Sequence, residues 1–287
     1  MPTALQVAAG ERVLMRLTSL GSWSAASLSA FMSMAAPAAA QQAASVKDEG
    51  WVVSLRANVV VAPSWPGADK MSFYGYPSAS IRRAGTPNQF SAPDDGIGLA
   101  LIDNGVFRVG PVARFVGGRY ASQDARLQGL RKIKWGAEIG AFAEFWPIQD
   151  MLRARLEVRH GVRSHSGVVA DLGLDAVYRI GSHTLSIGPR VTAGSDRYVD
   201  RFYGVSPDEA IANGLVSAYA PSGGVTSVGA LAAVSTNWSP AWSTSVYAGY
   251  KRLTGDAAQS PITRAIGSPN QYSFGATATY SFNFPGF

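Results

Sequence analysis

The sequence predicts an all-β protein, an antiparallel transmembrane β-barrel of about twelve strands with ten as the alternative, carrying short periplasmic turns and long extracellular loops. Three observations carry this expectation. First, in Gln271–Phe284 every even position (Tyr272, Phe274, Ala276, Ala278, Tyr280, Phe282, Phe284) is apolar or aromatic and every odd one is small or polar, and successive strand side chains point to opposite faces. The aromatics sit at both ends of the apolar face with alanines between them, the pattern of a strand crossing a bilayer between two aromatic girdles. Second, short connections alternate with longer ones along the chain. Third, only 15% of the 287 residues are charged and mean hydropathy is +0.05, as expected when lipid-facing and interior residues average out.

Arg12 and Arg16 precede a mostly apolar run from Leu17 to Met34, and Ala38-Ala39-Ala40 then precedes Gln41. A basic segment, an apolar segment and an Ala-x-Ala site describe a cleaved secretory signal peptide over residues 1–40, with Met15 as an alternative start. Residues 41–50 form a polar periplasmic lead, and 51–287 the barrel. No cysteine is present, which removes disulfides and thiolate metal sites and suits an oxidising periplasm. The net charge of +6 is spread along strands, with no basic run interleaved with aromatics, so a nucleic-acid partner is not expected.

The first strand is Trp51 to Val61, broken by Pro63, Pro66 and Gly67. A weaker one covers Met71 to Arg83, and a short one Thr86 to Ser91. Ile97, Leu99 and Leu101 lead to Asp103-Asn104-Gly105, whose Asn-Gly pair suits a tight hairpin. The return strand is Val106 to Gly118. Ile133 to Trp146 puts Ile133, Trp135 and Ile139 outward, and after Pro147–Asp150 come Leu152 to Arg159, Val168 to Ile180, and His183 to Gly194 across Gly181-Ser182. In the long segment that follows, Ser206-Pro207-Asp208-Glu209 is a capping box with proline at the first helical position, and Gly214 ends the helix. Thr226 to Trp238, Ala241 to Leu253 and the terminal strand complete the set. Counting back from a periplasmic C-terminus puts each short turn on the periplasmic side. The last strand is expected to pair with the first so that no edge remains.

The polar faces carry Arg56, Arg108, Arg114, Lys134, Glu138, Glu144, Arg153, Arg155, Glu157, Arg159, Asp171, Asp175, Arg179 and Arg190, expected to line the lumen. One reading is an ion- or solute-selective lumen. The other is that opposite charges on neighbouring strands pair and fill a slim interior, because unpaired charge in a confined space is costly. Of three histidines, His160 and His183 have no evident catalytic partner, and His165 sits between serines on a predicted outer loop. With Asp94-Asp95 on another outer loop, a hydrolase can be imagined, but no spacing supports it and solvated loop residues are the simpler reading. There is no phosphate-binding glycine loop, metal spacing or nucleophile elbow, so no enzyme and no cofactor are expected.

Several short motifs occur in a fixed order: Gly110-Pro111, Gly118-Arg119, Leu127-Gln128-Gly129-Leu130, Tyr198 to Pro207, Tyr219-Ala220-Pro221-Ser222-Gly223-Gly224, Tyr250 to Ala257, and Ser260-Pro261-Ile262. They resemble the MltA-interacting protein/OmpV family of outer-membrane proteins over essentially the whole mature chain. The resemblance implies a barrel of the Gram-negative outer membrane, surrounded by outer-membrane lipid and without enzymatic activity. It further implies a scaffold between a murein lytic transglycosylase and a peptidoglycan synthase; other members look like adhesins or small-solute porins. No motif carries the scaffold role residue by residue. One departure is that Phe287 follows Pro285-Gly286 and is out of phase with Phe284.

Overall fold

The computed structural model describes residues 50–85 and 89–285; the expected leader, nearly all of the polar lead and Phe287 lie outside them. Twelve strands form one antiparallel sheet: β1 (Trp51–Pro63), β2 (Met71–Arg83), β3 (Ile97–Gly98), β4 (Ile102–Asp103), β5 (Phe107–Val116), β6 (Gly136–Ile148), β7 (Leu152–Val162), β8 (Val168–Ile180), β9 (His183–Gly194), β10 (Gly224–Asn237), β11 (Trp242–Leu253) and β12 (Asn270–Phe284). Their order is β2-β1-β12-β11-β10-β9-β8-β7-β6-β5-β3, with β4 also on β5. The sheet curls so that first and last strands pair as expected, with Trp51 opposite Phe284 and Ala57 opposite Ala278.

The expectation that this pairing leaves no edge is corrected. No ladder joins β2 to β3 or β4 among the described residues, so a seam stands between them. The expected short strand at Thr86–Ser91 is not seen in its described part, because Gln89–Ser91 belong to no strand. Pro93 cannot donate to a ladder, and the segment folds toward the charged interior instead. The next strand is split: β3 and β4 are joined along β5 by Leu99 N–H to Pro111 O and Leu101 N–H to Val109 O. That crossing needs Gly110, since a Cβ there would collide with the Leu99 carbonyl.

The outward face is apolar from strand to strand. Phe73, Ile139, Ile187 and Phe274 are each at least half exposed, a continuous surface that a soluble protein would not present. Aromatic pairs mark both rims: Tyr250 with Tyr272 and Phe115 with Trp135 at the outer end, Trp242 with Tyr280 and Phe107 with Phe145 at the periplasmic end, with ring centroids 4.6–6.1 Å apart. These are girdles for the two lipid interfaces. Among the described residues no helix is long and apolar enough to cross a membrane.

The extracellular connections fold together into a cap. Trp65, Ala68, Leu127, Val205, Val216, Ile262 and Ile266 form one core, and Ile133, Val199, Phe202, Tyr203, Leu253 and Ala257 a second. Ile133, expected outward on a strand, instead bridges to Arg119 inside the cap. The predicted helix is present as Pro207–Asn213, with both capping-box bonds formed and Gly214 at φ +69°. Three further α-helices among the described residues, Asp196–Tyr203, Gly255–Gln259 and Pro261–Ala265, and a 3-10 turn at Ala125–Leu127 had no counterpart in the sequence-based expectation. Arg131 ties the loops by bonds of 2.7 and 3.1 Å to Glu209 and Asp200, and Arg126 by bonds to Asp124 and Asp69. Burial pushes the Glu209 carboxyl up, but the Arg131 side chain and the backbone N–H groups of Ser206 and Arg131 outweigh it and hold the group down at about 2. Hydrogen bonds from Arg126 likewise hold Asp124 well below the usual carboxylate range.

Candidate functional site

The site is assembled from alternate residues of β5 to β9. Because alternate side chains share a face, Arg153, Arg155, Glu157 and Arg159 of β7 stand in one row, with Glu138 and Glu144 of β6 on one side and Asp171 and Asp175 of β8 on the other. Arg153 is fully buried. Its Nη1 lies 3.0 Å from Asp175, its Nε 3.0 Å from Glu144 and its Nη2 2.6 Å from Asp95. Arg155 reaches Glu144 at 3.1 Å and Glu157 at 2.9 Å. Arg159 contacts Glu138 at 2.9 Å and also Glu157 and Asp171. Arg190 of β9 closes the row on Asp175 at 2.7 Å and Asp94 at 2.9 Å.

Asp94 and Asp95 correct the sequence reading, which placed them on an outer loop. They arrive on the segment before β3, which enters the charged interior and is pinned there along its length. Gly96 N–H donates to Glu157 at 2.9 Å, the Asp94 carbonyl accepts from Arg114 at 2.6 Å, and Phe90 lies 5.2 Å from the Arg153 guanidinium. His165 is a second correction: its ring is buried, with Nε2 3.0 Å from Glu138 and its faces against Tyr198 and Phe202. It therefore hydrogen-bonds to a carboxylate of the network and is no solvated loop residue.

Of the residues singled out in the sequence, the network joins Arg108, Arg114, Glu138, Glu144, Arg153, Arg155, Glu157, Arg159, Asp171, Asp175 and Arg190. Arg179 stands apart, paired at the periplasmic turn with Asp150 at 3.3 Å. Lys134 is exposed and precedes β6. Arg56 is half-buried on β1 and has no ion-pair partner among the described residues. Besides Asp94, Asp95 and His165, the sequence reading missed Asp103, which takes Arg108 at 3.2 Å. A signal was present: the fourteen residues comprise nine cations and five carboxylates, and such an excess in a confined interior requires carboxylates from elsewhere.

Chemically, the arrangement neutralises and fills. No group of acidic, histidine or cysteine side chains fit to hold a metal occurs among the described residues, and every carboxylate of the row is engaged by arginine.

Comparison with known proteins adds the following. A family model described as MltA-interacting protein MipA matches residues 55–282. No curated protein matches the chain. Among solved structures, an outer-membrane channel from Pseudomonas putida F1 is similar at 10% identity and TM-score 0.39, covering 83% of this chain and 97% of that one. OmpT of Vibrio cholerae matches at 10% identity and TM-score 0.36, covering 81% and 96%. LpxR from Salmonella typhimurium matches at 10% identity and TM-score 0.34, covering 79% and 99%.

Proposed function

This chain belongs to the MltA-interacting protein MipA family, and from that premise we propose that it is a non-enzymatic outer-membrane scaffold with an occluded interior. The observation that carries the reading is the delivery of Asp94 and Asp95 onto Arg190 and Arg153. An anion-selective pore would keep its arginines free to meet solute. Here each arginine of the row is held by carboxylates, and an inserted segment occupies the space beside them. The cap supports the same reading, since its two apolar cores tie the outer loops together over the extracellular end.

The family is named for an interaction with MltA, which supports a murein lytic transglycosylase as the partner class; the second enzyme to be bridged in this proposal is a peptidoglycan synthase. Contact would run through the periplasmic turns around Asn104, Asp150, Gly181 and Pro240 and through the polar lead at 41–50, delivered by the cleaved leader. The test is mild crosslinking of membranes followed by purification of the solubilised barrel. Recovery of a murein transglycosylase supports the proposal, and its absence under conditions that capture other outer-membrane partners counts against it.

A narrow solute path is the second reading, favoured by one observation. On β11, β12 and β1 many inward residues are small or hydroxylated, with Tyr247, Lys251 and Arg56 as the long ones, and Ser245, Thr277, Ser281 and Arg56 are only half-buried. If solute passes, it follows that side, and Arg56→Glu shifts ion selectivity in planar bilayers.

A further inference from the structure

The outer end of β7 breaks the alternation that governs the rest of the strand. After Val162 the side chain at 163 should share the inward face of Arg159 and Gly161. Arg163 is instead exposed, and its guanidinium lies 3.9 Å from the Trp135 ring centroid, on the outward aromatic girdle beside Phe115. A tight turn swings it out: Arg163 has φ +74°, and Ser164 N–H donates to the Val162 carbonyl at 3.0 Å. Such a three-residue turn is strained for any residue with a Cβ, and glycine would adopt it freely. Strain of this kind collects where a side chain has to be presented.

A second cation stands beside it. Trp135 N–H donates to the Tyr120 hydroxyl at 3.0 Å, and the Lys132 ammonium is 5.0 Å from the Tyr120 ring centroid. Arg201 donates to the Ser164 carbonyl at 3.0 Å and to the Lys132 carbonyl at 3.2 Å, so one guanidinium holds the two cation-bearing segments side by side. Arg163 and Lys132 are both exposed, and neither has an ion-pair partner among the described residues. Toward the bilayer, Phe115, Ala137 and Val162 form one cross-strand row on the lipid-facing side, with Phe115 70% exposed. One step further down, His160 pairs across the ladder with Ile139 and shares the outward face of Val158 and Val162. It is exposed and has no hydrogen-bond or ion-pair partner among the described residues. An unpartnered imidazole on a lipid-facing wall is unfavourable unless a polar group of the membrane meets it.

We propose that this outer rim of β5–β7 binds one outer-leaflet lipid through a phosphate of its headgroup, with the phosphate between Arg163 and Lys132 and an acyl chain running down the wall past Ile139. The cations stand on aromatic rings at the level of the interfacial girdle, where headgroups lie. The surface beneath them is apolar and exposed, which suits a lipid and gives a free anion nothing. A guanidinium offers a phosphate two parallel donors, and stacking on Trp135 fixes its plane beforehand. This role is separate from the periplasmic contacts, because the rim lies at the opposite end of the barrel.

The experiment is native mass spectrometry of the full mature chain in nonionic detergent, titrated with diphosphoryl lipid A. Saturable retention of one lipid is expected. It should weaken about tenfold or more in Arg163→Gln, by a smaller factor in Lys132→Gln, and not at all in Arg83→Gln, whose guanidinium lies 5.6 Å from the Trp51 ring centroid at the periplasmic end. Arg163→Gly separates binding from folding. The turn relaxes, so thermal unfolding, read by heat-dependent gel mobility, should occur at the same or a higher temperature while retention falls as in Arg163→Gln. Lipid A stripped of its phosphates should be held as weakly by the wild-type chain as the intact lipid is by Arg163→Gln. Inorganic phosphate should not displace the lipid; displacement would assign the rim to a free anion and overturn the proposal. No saturable retention, retention unchanged in both Arg163 variants, or an equal loss in Arg83→Gln would overturn it as well.

Discussion

The wall β5–β9 and the wall formed by β11, β12, β1 and β2 present the same apolar exterior to lipid, yet their interiors differ. Inside β5–β9 the side chains are long and charged, and they are buried: Arg153 at 0%, Glu144, Glu157 and Arg159 at 2% exposure. Inside the other wall they are mostly hydroxyls, joined in short cross-strand bonds such as Ser54 to Ser281 at 2.7 Å, Thr277 to Asn58 at 3.0 Å and Asn58 to Ser78 at 3.0 Å. Those residues are only partly buried. Strand alternation decides which face meets lipid, and charge content decides whether the inside is solid. A long charged residue inside a barrel needs a partner and draws one in, even from a segment that could have built wall; a serine ladder satisfies itself and leaves room.

The sharpest way to break this comparison is to remove one charge from the solid side. Arg153→Met leaves Asp95, Glu144 and Asp175 without their shared cation, and denaturant unfolding should show a loss of about 3–5 kcal/mol. A loss below 1 kcal/mol would mean the two walls are energetically alike. Next, Asp94→Asn with Asp95→Asn keeps the shape of the inserted segment and discharges it. We expect a loss of about 2–3 kcal/mol and faster proteolysis around Gln89–Gly96.

Third is the pH response of the cap. The Glu209 carboxyl is depressed in the folded state, so its contribution is complete above its ordinary value of 4.5 and is lost as pH falls through about 2. Allowing for solvent screening, that contribution is about 1 kcal/mol. Protease cutting within the cap should therefore rise between pH 4.5 and 2, and Glu209→Gln should show the raised rate already at neutral pH. Smallest is Ser281→Ala on the hydroxyl wall, where a half-exposed bond is lost. Stability should change by less than about 1 kcal/mol, which makes it the control for Arg153→Met.

Much of the wall was legible in the sequence because one rule, alternation, governs every strand. It placed the outward aromatics, while the tight turn at Asn104-Gly105 was read from its Asn-Gly pair and the β1–β12 pairing from the need to close a barrel. The capping box at Ser206 was legible for a similar reason, since its bonds are local. What the sequence did not disclose depends on partners far along the chain. Helix Asp196–Tyr203 buries Val199, Phe202 and Tyr203 against Leu253 and Ala257, contacts that only the assembled cap creates. His165 reads as a loop residue until Glu138 and the rings of Tyr198 and Phe202 surround it. Asp94-Asp95 follow a proline and read as a solvated turn, although the surplus of arginine on the strands already called for them. The seam between β2 and β3 has the same origin, because the residues that could have filled it are held inside by those carboxylates.

The central claim is that the inserted carboxylates occlude the interior, and single-channel recording on the purified chain in planar bilayers tests it most directly. The wild-type protein should be silent, and the Asp94→Asn, Asp95→Asn double variant should open. A wild-type protein that conducts steadily, with an ion selectivity that Arg153→Glu reverses, would contradict the claim.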